Sequence, residues 1–187
     1  MAVVLNGLLK STASSLLSRR LFYSWLIEVF NTKDVQRVKK VGPDRAASEW
    51  ILRNGGKVKF SSSITWISNY GGSGGGSMEL VGIDANGVAL TNSGLQHLVG
   101  LKYLRYLSLH GCKHITDLEH LTEVADTLEY LDIGNCTGLS DVTPVGSLLK
   151  LQTLIMTGTL GGIKRKEVLK TLHQKLPSCN IIDDTAG

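Results

Sequence analysis

Between Val81 and Thr159 the apolar positions of the chain repeat at an interval of 24 residues, or 23 for the last copy. Alternate residues are apolar over a short run in each copy, a pattern typical of a β-strand with one buried side. The positions predicted to face inward are Ile83, Ala85 and Val88, then Leu107, Leu109 and Cys112, then Leu131, Ile133 and Cys136, and last Leu154, Met156 and Thr159. This period predicts an α/β fold, a short stack of about four leucine-rich repeats of the cysteine-containing type.

The residues between the inward positions are predicted to face outward and to align in columns across neighbouring strands. Two carboxylates then lie beside two tyrosines, which predicts a protein-binding surface. The candidate partner-binding residues are Asp84, Tyr106, Ser108, His110, Tyr130 and Asp132. An ordinary solvated concave face is the alternative interpretation, because aromatic residues at a surface need not contact a partner.

The stretch before the repeats, residues 23–70, is predicted to be a helical N-terminal cap domain that closes one open edge of the stack. A first helix has Trp25, Val29 and Phe30 on an apolar face, and a second covers residues 35–41. A third helix starts at Pro43, because proline fits the first helical turn, and residues 54–56 end it. A strand at 57–60 follows, and Trp66 is predicted to pack against the cap.

Two further segments complete the predicted organisation. Residues 71–77 contain only glycine and serine, which predicts a flexible loop. Residues 78–187 form the repeat domain, with a C-terminal cap helix that opens near Lys164 and a last strand that ends at Ile182. Pro177 ends the apolar stripe of that helix.

The first 22 residues have the composition of a mitochondrial presequence. They contain three basic residues and no acidic one, and their leucines and valines recur at helical intervals. A leader without any address is the alternative. The longest apolar runs are far below the ~18 residues of a transmembrane helix, so the sequence predicts at most peripheral membrane contact.

The charge is unevenly divided along the chain, whose formal net charge is +4. Residues 78–159 carry nine acidic and four basic side chains, whereas residues 23–60 carry eight basic and four acidic ones. Because nucleic-acid-binding proteins concentrate basic residues on their main surface, this distribution argues against a nucleic-acid partner. Three cysteines cannot all pair, and we expect reduced thiols.

Catalytic and metal-binding motifs are not apparent. The cluster that most resembles a set of zinc ligands contains His110, Cys112, His114 and His120. The repeat directs Cys112 inward and His110 outward, so these side chains are not expected to converge on one ion. No nucleophile elbow, zinc-protease motif, Walker loop or dinucleotide fingerprint occurs, and we predict that the protein is not an enzyme.

Two runs of sequence resemble a known family. The run Gly42–Trp50 reads GPDRAASEW, and it follows Trp25-Leu26-x-x-Val29-Phe30-Asn31 at the start of the predicted cap. Together with the repeats, they resemble mitochondrial coupling factor B, also called ATP synthase subunit s, over about residues 22–183. The run Ile51–Phe60 resembles a sister family as much as it resembles coupling factor B. That family is the assembly factor of the distal membrane arm of respiratory complex I.

The resemblance implies a small mitochondrial protein on the matrix side of the inner membrane, bound to it peripherally. It implies a role in energy coupling and proton conduction through contacts with the membrane sector of ATP synthase. The sister family implies contacts with complex I assembly intermediates instead. The coupling factor B family is also described with Mg²⁺ held by backbone carbonyl groups at positions matching Gly55 and Asn86, where the family has Thr at the second position.

A third interpretation comes from a different class of protein. Leu26, Val29, Phe30 and the later valines outline an F-box, which would make the protein a substrate adaptor of a ubiquitin ligase. The Leu-Pro pair with which an F-box usually begins is absent, and the tryptophan lies further after Val41 than the F-box pattern places it.

Overall fold

A computed structural model describes residues 21–69, 78–160 and 162–184. The predicted presequence lies outside these residues, except for its last two positions, and so does the Gly/Ser segment 71–77. The chain is a mixed α/β protein with a helical N-terminal part and a six-stranded sheet. Among the described residues, no helix combines the length and the apolar character needed to cross a membrane.

Helices precede and flank the sheet, and short 3₁₀ turns connect its later strands. The helices are α1 (21–31), α2 (Val35–Val41), α3 (Pro43–Arg53), α4 (Asn92–Leu95) and α5 (Gly162–Lys175). The strands are β1 (Lys57–Phe60), β2 (Leu80–Asp84), β3 (Tyr106–Ser108), β4 (Tyr130–Asp132), β5 (Thr153–Ile155) and β6 (Asn180–Ile182). The 3₁₀ turns are Gln96–Leu98, Glu119–Val124 and Thr143–Ser147.

The six strands lie side by side in the order of the chain. β1 pairs with β2 in antiparallel fashion, and every later pair is parallel. Leu107 lies opposite Ile83 on one side and Leu131 on the other, and Leu131 lies opposite Leu154. The 24-residue period therefore brings equivalent positions into register, as predicted.

One hydrophobic core runs from the N-terminal helices to the last strand. All twelve positions predicted to face inward are buried, and Thr159 is the only one with a hydroxyl group. Trp50 and Ile51 of α3 join the same core at one end, and Leu172 of α5 joins it at the other. Since a buried leucine or isoleucine stabilises a fold by roughly 1.5–3 kcal/mol, this shared column is the main source of stability.

The two repeat cysteines are hydrogen-bond donors within that core. The Cys112 thiol donates to the Ala85 carbonyl at 3.2 Å, and the Cys136 thiol donates to the Leu109 carbonyl at 3.0 Å. Thr159 occupies the same place in the last copy, where its hydroxyl donates to the Ile133 carbonyl. In all three copies this position thus holds a small side chain that donates a hydrogen bond to the preceding copy.

Helix α1 forms as predicted, but its apolar face does not enter the core. Trp25, Val29 and Phe30 are 58%, 49% and 42% exposed. The helix is held at its C-terminal end by the buried side chain of Asn31, which donates to the Ala89 carbonyl at 2.9 Å and accepts from the Thr91 amide at 3.2 Å. A buried amide needs such partners, so the attachment of α1 is largely polar.

The opposite end of the sheet is closed by an ionic contact. Arg165 on α5 lies 3.2 Å from the Asp183 carboxylate and 2.8 Å from the Asp184 carboxylate. Asp184 also accepts from the Gly158 amide at 2.7 Å, and both of these bonds lower the pKa of its carboxyl group. The segment after β6 is thereby fixed against α5.

His97 contributes a titratable group to the contact between α3 and the 3₁₀ turn Gln96–Leu98. Its ring stacks on Trp50 at 4.5 Å and 6°. Burial lowers the pKa of His97 to about 4, with a smaller contribution from the positive charge of Lys33. The folded state therefore favours the neutral ring.

We predict that this histidine makes the protein less stable in acid. Because its folded pKa lies below the unfolded value of about 6.5, its contribution is complete above pH 6.5 and is lost as the pH falls toward 4. The loss should be on the order of 3 kcal/mol in the free energy of unfolding, measured by urea denaturation. His97→Phe keeps the ring stacking without the charge and should flatten the profile in this window. An unchanged slope in that variant would contradict the assignment.

Candidate docking face on the outer side of the sheet

Three aromatic side chains form a row across the outer face of the sheet. The rings of Tyr106 and Tyr130 stack at 4.3 Å and 6°, and Trp66 meets Tyr106 edge-on at 5.2 Å. Parallel pairing of β3 with β4 sets the two tyrosines directly opposite each other. We call Trp66, Tyr106 and Tyr130 the aromatic row.

Trp66 belongs to this row because Gly82 leaves room for it. A Cβ atom at Gly82 would lie 2.8 Å from the Trp66 ring, which is closer than real contacts allow. The prediction that Trp66 packs against the helical cap is therefore wrong. Trp66 lies outside the 24-residue period, so the repeat pattern could not predict its position. That position follows from the pairing of Ile67 with Val58 on β1.

A second row of polar side chains runs beside the first, two residues further along each strand. It consists of Asp84, Ser108 and Asp132, which lie opposite one another in register. The Ser108 hydroxyl bonds the Asn86 side chain and is buried, so it forms the floor of the face. The Asp84 and Asp132 side chains retain 20% and 12% exposure. We call these three residues the carboxylate row.

Both carboxylates are held by backbone amides. Asp132 Oδ1 accepts from the Gly134 amide at 2.8 Å, and Asp84 Oδ1 accepts from the Asn86 amide at 3.2 Å. The Lys57 ammonium lies 3.8 Å from the second oxygen of Asp84. Bonds from amides fix the orientation of a carboxylate and keep its charge localised on the face.

His110 and Asn135 extend this network beyond Asp132. His110 Nδ1 lies 3.3 Å from Asp132 Oδ1, and His110 Nε2 lies 3.0 Å from the Asn135 amide nitrogen. Both ring nitrogens of His110 are therefore within hydrogen-bonding distance of a neighbouring side chain. Asn135, which adopts φ = 55°, was not predicted, because its role depends on this left-handed turn after β4.

The tyrosine hydroxyls remain neutral over a wide pH range. Burial raises the pKa of Tyr106 to about 12, with further contributions from Tyr130, Asp84 and Asp132. Burial and the charge of Asp132 also raise the pKa of Tyr130. The face thus combines neutral aromatic rings with two fixed negative charges.

Gly55 and Asn86, the positions implied for Mg²⁺, lie just beyond the paired ends of β1 and β2. Each is two residues past the Lys57–Asp84 pair, one in the turn before β1 and the other in the turn after β2. The backbones approach closely there, since a Cβ atom at Gly56 would lie 2.8 Å from the Asp84 carbonyl oxygen. Carbonyl oxygens beside a carboxylate are suitable donors for Mg²⁺, so the residues fit this ion.

Cys112 and His110 of the zinc-like cluster lie on different sides of the sheet. Cys112 is buried, whereas the His110 side chain is 40% exposed on the outer face. Within the described residues, no group of three histidine, cysteine, aspartate or glutamate side chains is arranged to hold a metal ion. Burial raises the pKa of Cys112 to about 12 and that of Cys136 to about 11.

Curated relatives place the chain in a family. ATP synthase subunit s of rat mitochondria is 37% identical over 174 residues, which cover 87% of this chain and 86% of the relative. The proteins of the same name from mouse and human are 35% and 29% identical over the same shares of both chains. The chain belongs to the mitochondrial ATP synthase subunit s family. No family model matches it.

The predicted resemblance to the ATP synthase subunit s family is thus confirmed. The alignment covers 87% of the chain. The remainder is shorter than the stretch on either side of β3 and β4, so both strands lie within the alignment. The members of the two rows on β3 and β4 therefore belong to the segment that aligns with ATP synthase subunit s. These members are Tyr106, Ser108, Tyr130 and Asp132.

We predict that the thiols of the folded protein resist alkylation. All three cysteines are buried, and burial raises each thiol pKa, so little thiolate exists at about pH 8. A thiol reagent should detect three thiols in guanidinium chloride and none at a comparable rate under native conditions. Rapid reaction of Cys112 or Cys136 in the folded protein, located by peptide mass spectrometry, would contradict the inward placement.

Proposed function

We propose that the protein is a non-catalytic docking subunit that associates with ATP synthase and acts in energy coupling and proton conduction through contacts with the membrane sector. The observation that carries this proposal is membership in a family whose relatives are named mitochondrial ATP synthase subunit s. The outer face of the sheet supports it, because it offers a fixed surface of aromatic rings and carboxylates.

The chemistry of the face favours binding over catalysis. The ring nitrogens of His110 are both engaged in hydrogen bonds, one with Asp132 and one with Asn135. The raised pKa values of Tyr106 and Tyr130 keep their hydroxyls from acting as nucleophiles near neutral pH. Aromatic residues are enriched in protein interfaces, where they supply large contact areas.

We also infer that the sheet is a short leucine-rich-repeat stack of the cysteine-containing type. The 24-residue period, the parallel strands in register and the equivalent places of Cys112 and Cys136 support this classification. On this basis residues 23–70 act as the helical cap domain and residues 78–187 as the repeat domain with its own cap helix.

The proposed location is the matrix side of the mitochondrial inner membrane, with peripheral attachment. The relatives carry the word mitochondrial in their names, and residues 1–22 have the composition of a presequence. Removal of those residues after import is part of the proposal. The complex I and F-box interpretations stay predictions, since no further observation favours them.

Affinity purification tests the proposed partner. The tagged full-length protein, expressed in animal cells, should recover ATP synthase subunits from mitochondria solubilised in a mild detergent. Tyr130→Leu should reduce this recovery, because it removes a ring of the aromatic row at the outer surface. Depletion of the protein should lower coupled ATP synthesis while complex I stays intact.

The matched control is Glu123→Gln, which changes an exposed charge on the 3₁₀ turn away from the strands. It should leave the recovery of ATP synthase unchanged. Recovery of complex I assembly intermediates, or of a cullin-ligase adaptor, in place of ATP synthase would refute the proposed function.

Binding of Mg²⁺ near Gly55 and Asn86 is a further part of this proposal. A ligand that binds only the folded state stabilises it by RT ln(1 + [L]/Kd) and so raises the melting temperature. Protein treated with a chelator and then dialysed should therefore melt at a higher temperature in magnesium chloride than in sodium chloride of equal ionic strength. Equal melting temperatures in the two salts would exclude a site that contributes to stability.

A further inference from the structure

We propose that the segment received by this face is an arginine-bearing stretch of the partner protein, with a guanidinium group stacked on the aromatic row and paired with Asp132. The inference rests on the proposed function for the existence of a protein partner. It adds the chemistry by which that partner is recognised.

The spacing of the two rows suits a guanidinium group. Tyr130 and Asp132 are two residues apart on β4 and lie on the same face, which places their Cα atoms roughly 6–7 Å apart. A planar cation lying on a tyrosine ring can therefore reach the neighbouring carboxylate with its N–H groups. Tyr106 and Ser108 repeat the same spacing on β3.

The charge of the face selects a cationic occupant. Asp84 and Asp132 are held in the carboxylate row, and their negative charges contribute to the raised pKa of Tyr106. Residues 78–159 carry nine acidic and four basic side chains, so the surroundings add to the same field. A phosphate-bearing partner, such as a nucleic acid or an anionic lipid surface, would be repelled.

The rings distinguish arginine from lysine. The guanidinium group is planar and weakly hydrated, and it stacks on aromatic rings while its N–H groups bond a carboxylate. The ammonium group of lysine is a compact, strongly hydrated charge that makes only one of these contacts well. A stacked pair of tyrosines beside a carboxylate therefore favours arginine.

The side chains are already fixed in the free protein. Asp132 is bonded to the Gly134 amide and to His110, and Tyr106 is packed between Trp66 and Tyr130. Such pre-organisation reduces the entropy lost on binding. The face can thus bind a short segment without rearranging its own backbone.

Binding of labelled peptides to the purified full-length protein tests this inference. Peptides of equal length carry arginine, lysine or glutamate among glycine and serine, and fluorescence anisotropy reports their affinity. The arginine peptide should bind on the order of threefold more tightly than the lysine peptide, and the glutamate peptide should not bind. In a nitrogen-15 spectrum, the arginine peptide should shift the indole signal of Trp66 and leave those of Trp25 and Trp50 in place.

Variants locate the contact. Tyr130→Leu and Asp132→Asn should each weaken binding of the arginine peptide on the order of threefold or more, whereas Glu123→Gln should not change it. Asparagine keeps an oxygen that accepts from the Gly134 amide, so Asp132→Asn preserves that part of the fold. If this variant nevertheless unfolds, Tyr130→Leu alone decides the result.

Four outcomes would overturn the inference. The first is equal binding of the arginine and glutamate peptides, and the second is an unshifted Trp66 signal. The third is a gain of more than tenfold in the affinity for the arginine peptide when Lys10, Arg19 and Arg20 are changed to alanine together. The face would then be occupied by the chain's own leader. The fourth is that the Tyr130→Leu variant recovers as much ATP synthase as the unchanged protein. This result would refute the inference and preserve the proposed function. Binding of the arginine peptide without any recovery of ATP synthase would refute only the proposed function.

Discussion

The stacking of equivalent side chains along the inner side of the sheet is the constraint on which the rest of the structure depends. At the turn after each strand, a carbonyl group of one copy accepts an amide N–H of its own turn, and the next copy supplies a second donor. The thiols of Cys112 and Cys136 and the hydroxyl of Thr159 have this role. Each of these bonds joins one copy to the next and contributes about 0.5–1.5 kcal/mol, so the interval between copies is fixed by polar as well as apolar contacts. Because the inner column sets the register, it also sets the two rows on the outer face.

A stack of this kind has two open ends, and the protein closes them by different means. At the N-terminal end α3 inserts Trp50 into the core, and Asn31 satisfies backbone groups of the loop after β2. At the other end Arg165 holds the two aspartates that follow β6. Hydrogen bonds and ion pairs are directional, so each end is joined in one orientation. Helix α1 is attached through Asn31 in its last turn, and its apolar residues Trp25, Val29 and Phe30 are exposed.

The sequence predicted what depends on periodicity and missed what depends on close contacts between distant segments. The pairing of Leu107 with Leu131 follows from a 24-residue interval, and the start of α3 at Pro43 follows from local backbone preferences. The place of Trp66 depends on the absence of a side chain at Gly82, a relation between two segments that no period connects. The burial of Ser108 and the turn at Asn135 likewise follow from hydrogen bonds that form only after the strands have paired.

The same bonds that fix the outer face also limit what it can do. A general base needs a free lone pair close to its reactant, and a nucleophile needs a pKa near the working pH. Here Asp132 and His110 are bonded to each other and to their neighbours, and burial moves the pKa of Tyr106 away from neutrality. What remains is fixed charge beside flat apolar rings, which is suited to holding a cation in place. The arrangement is therefore pre-organised for recognition.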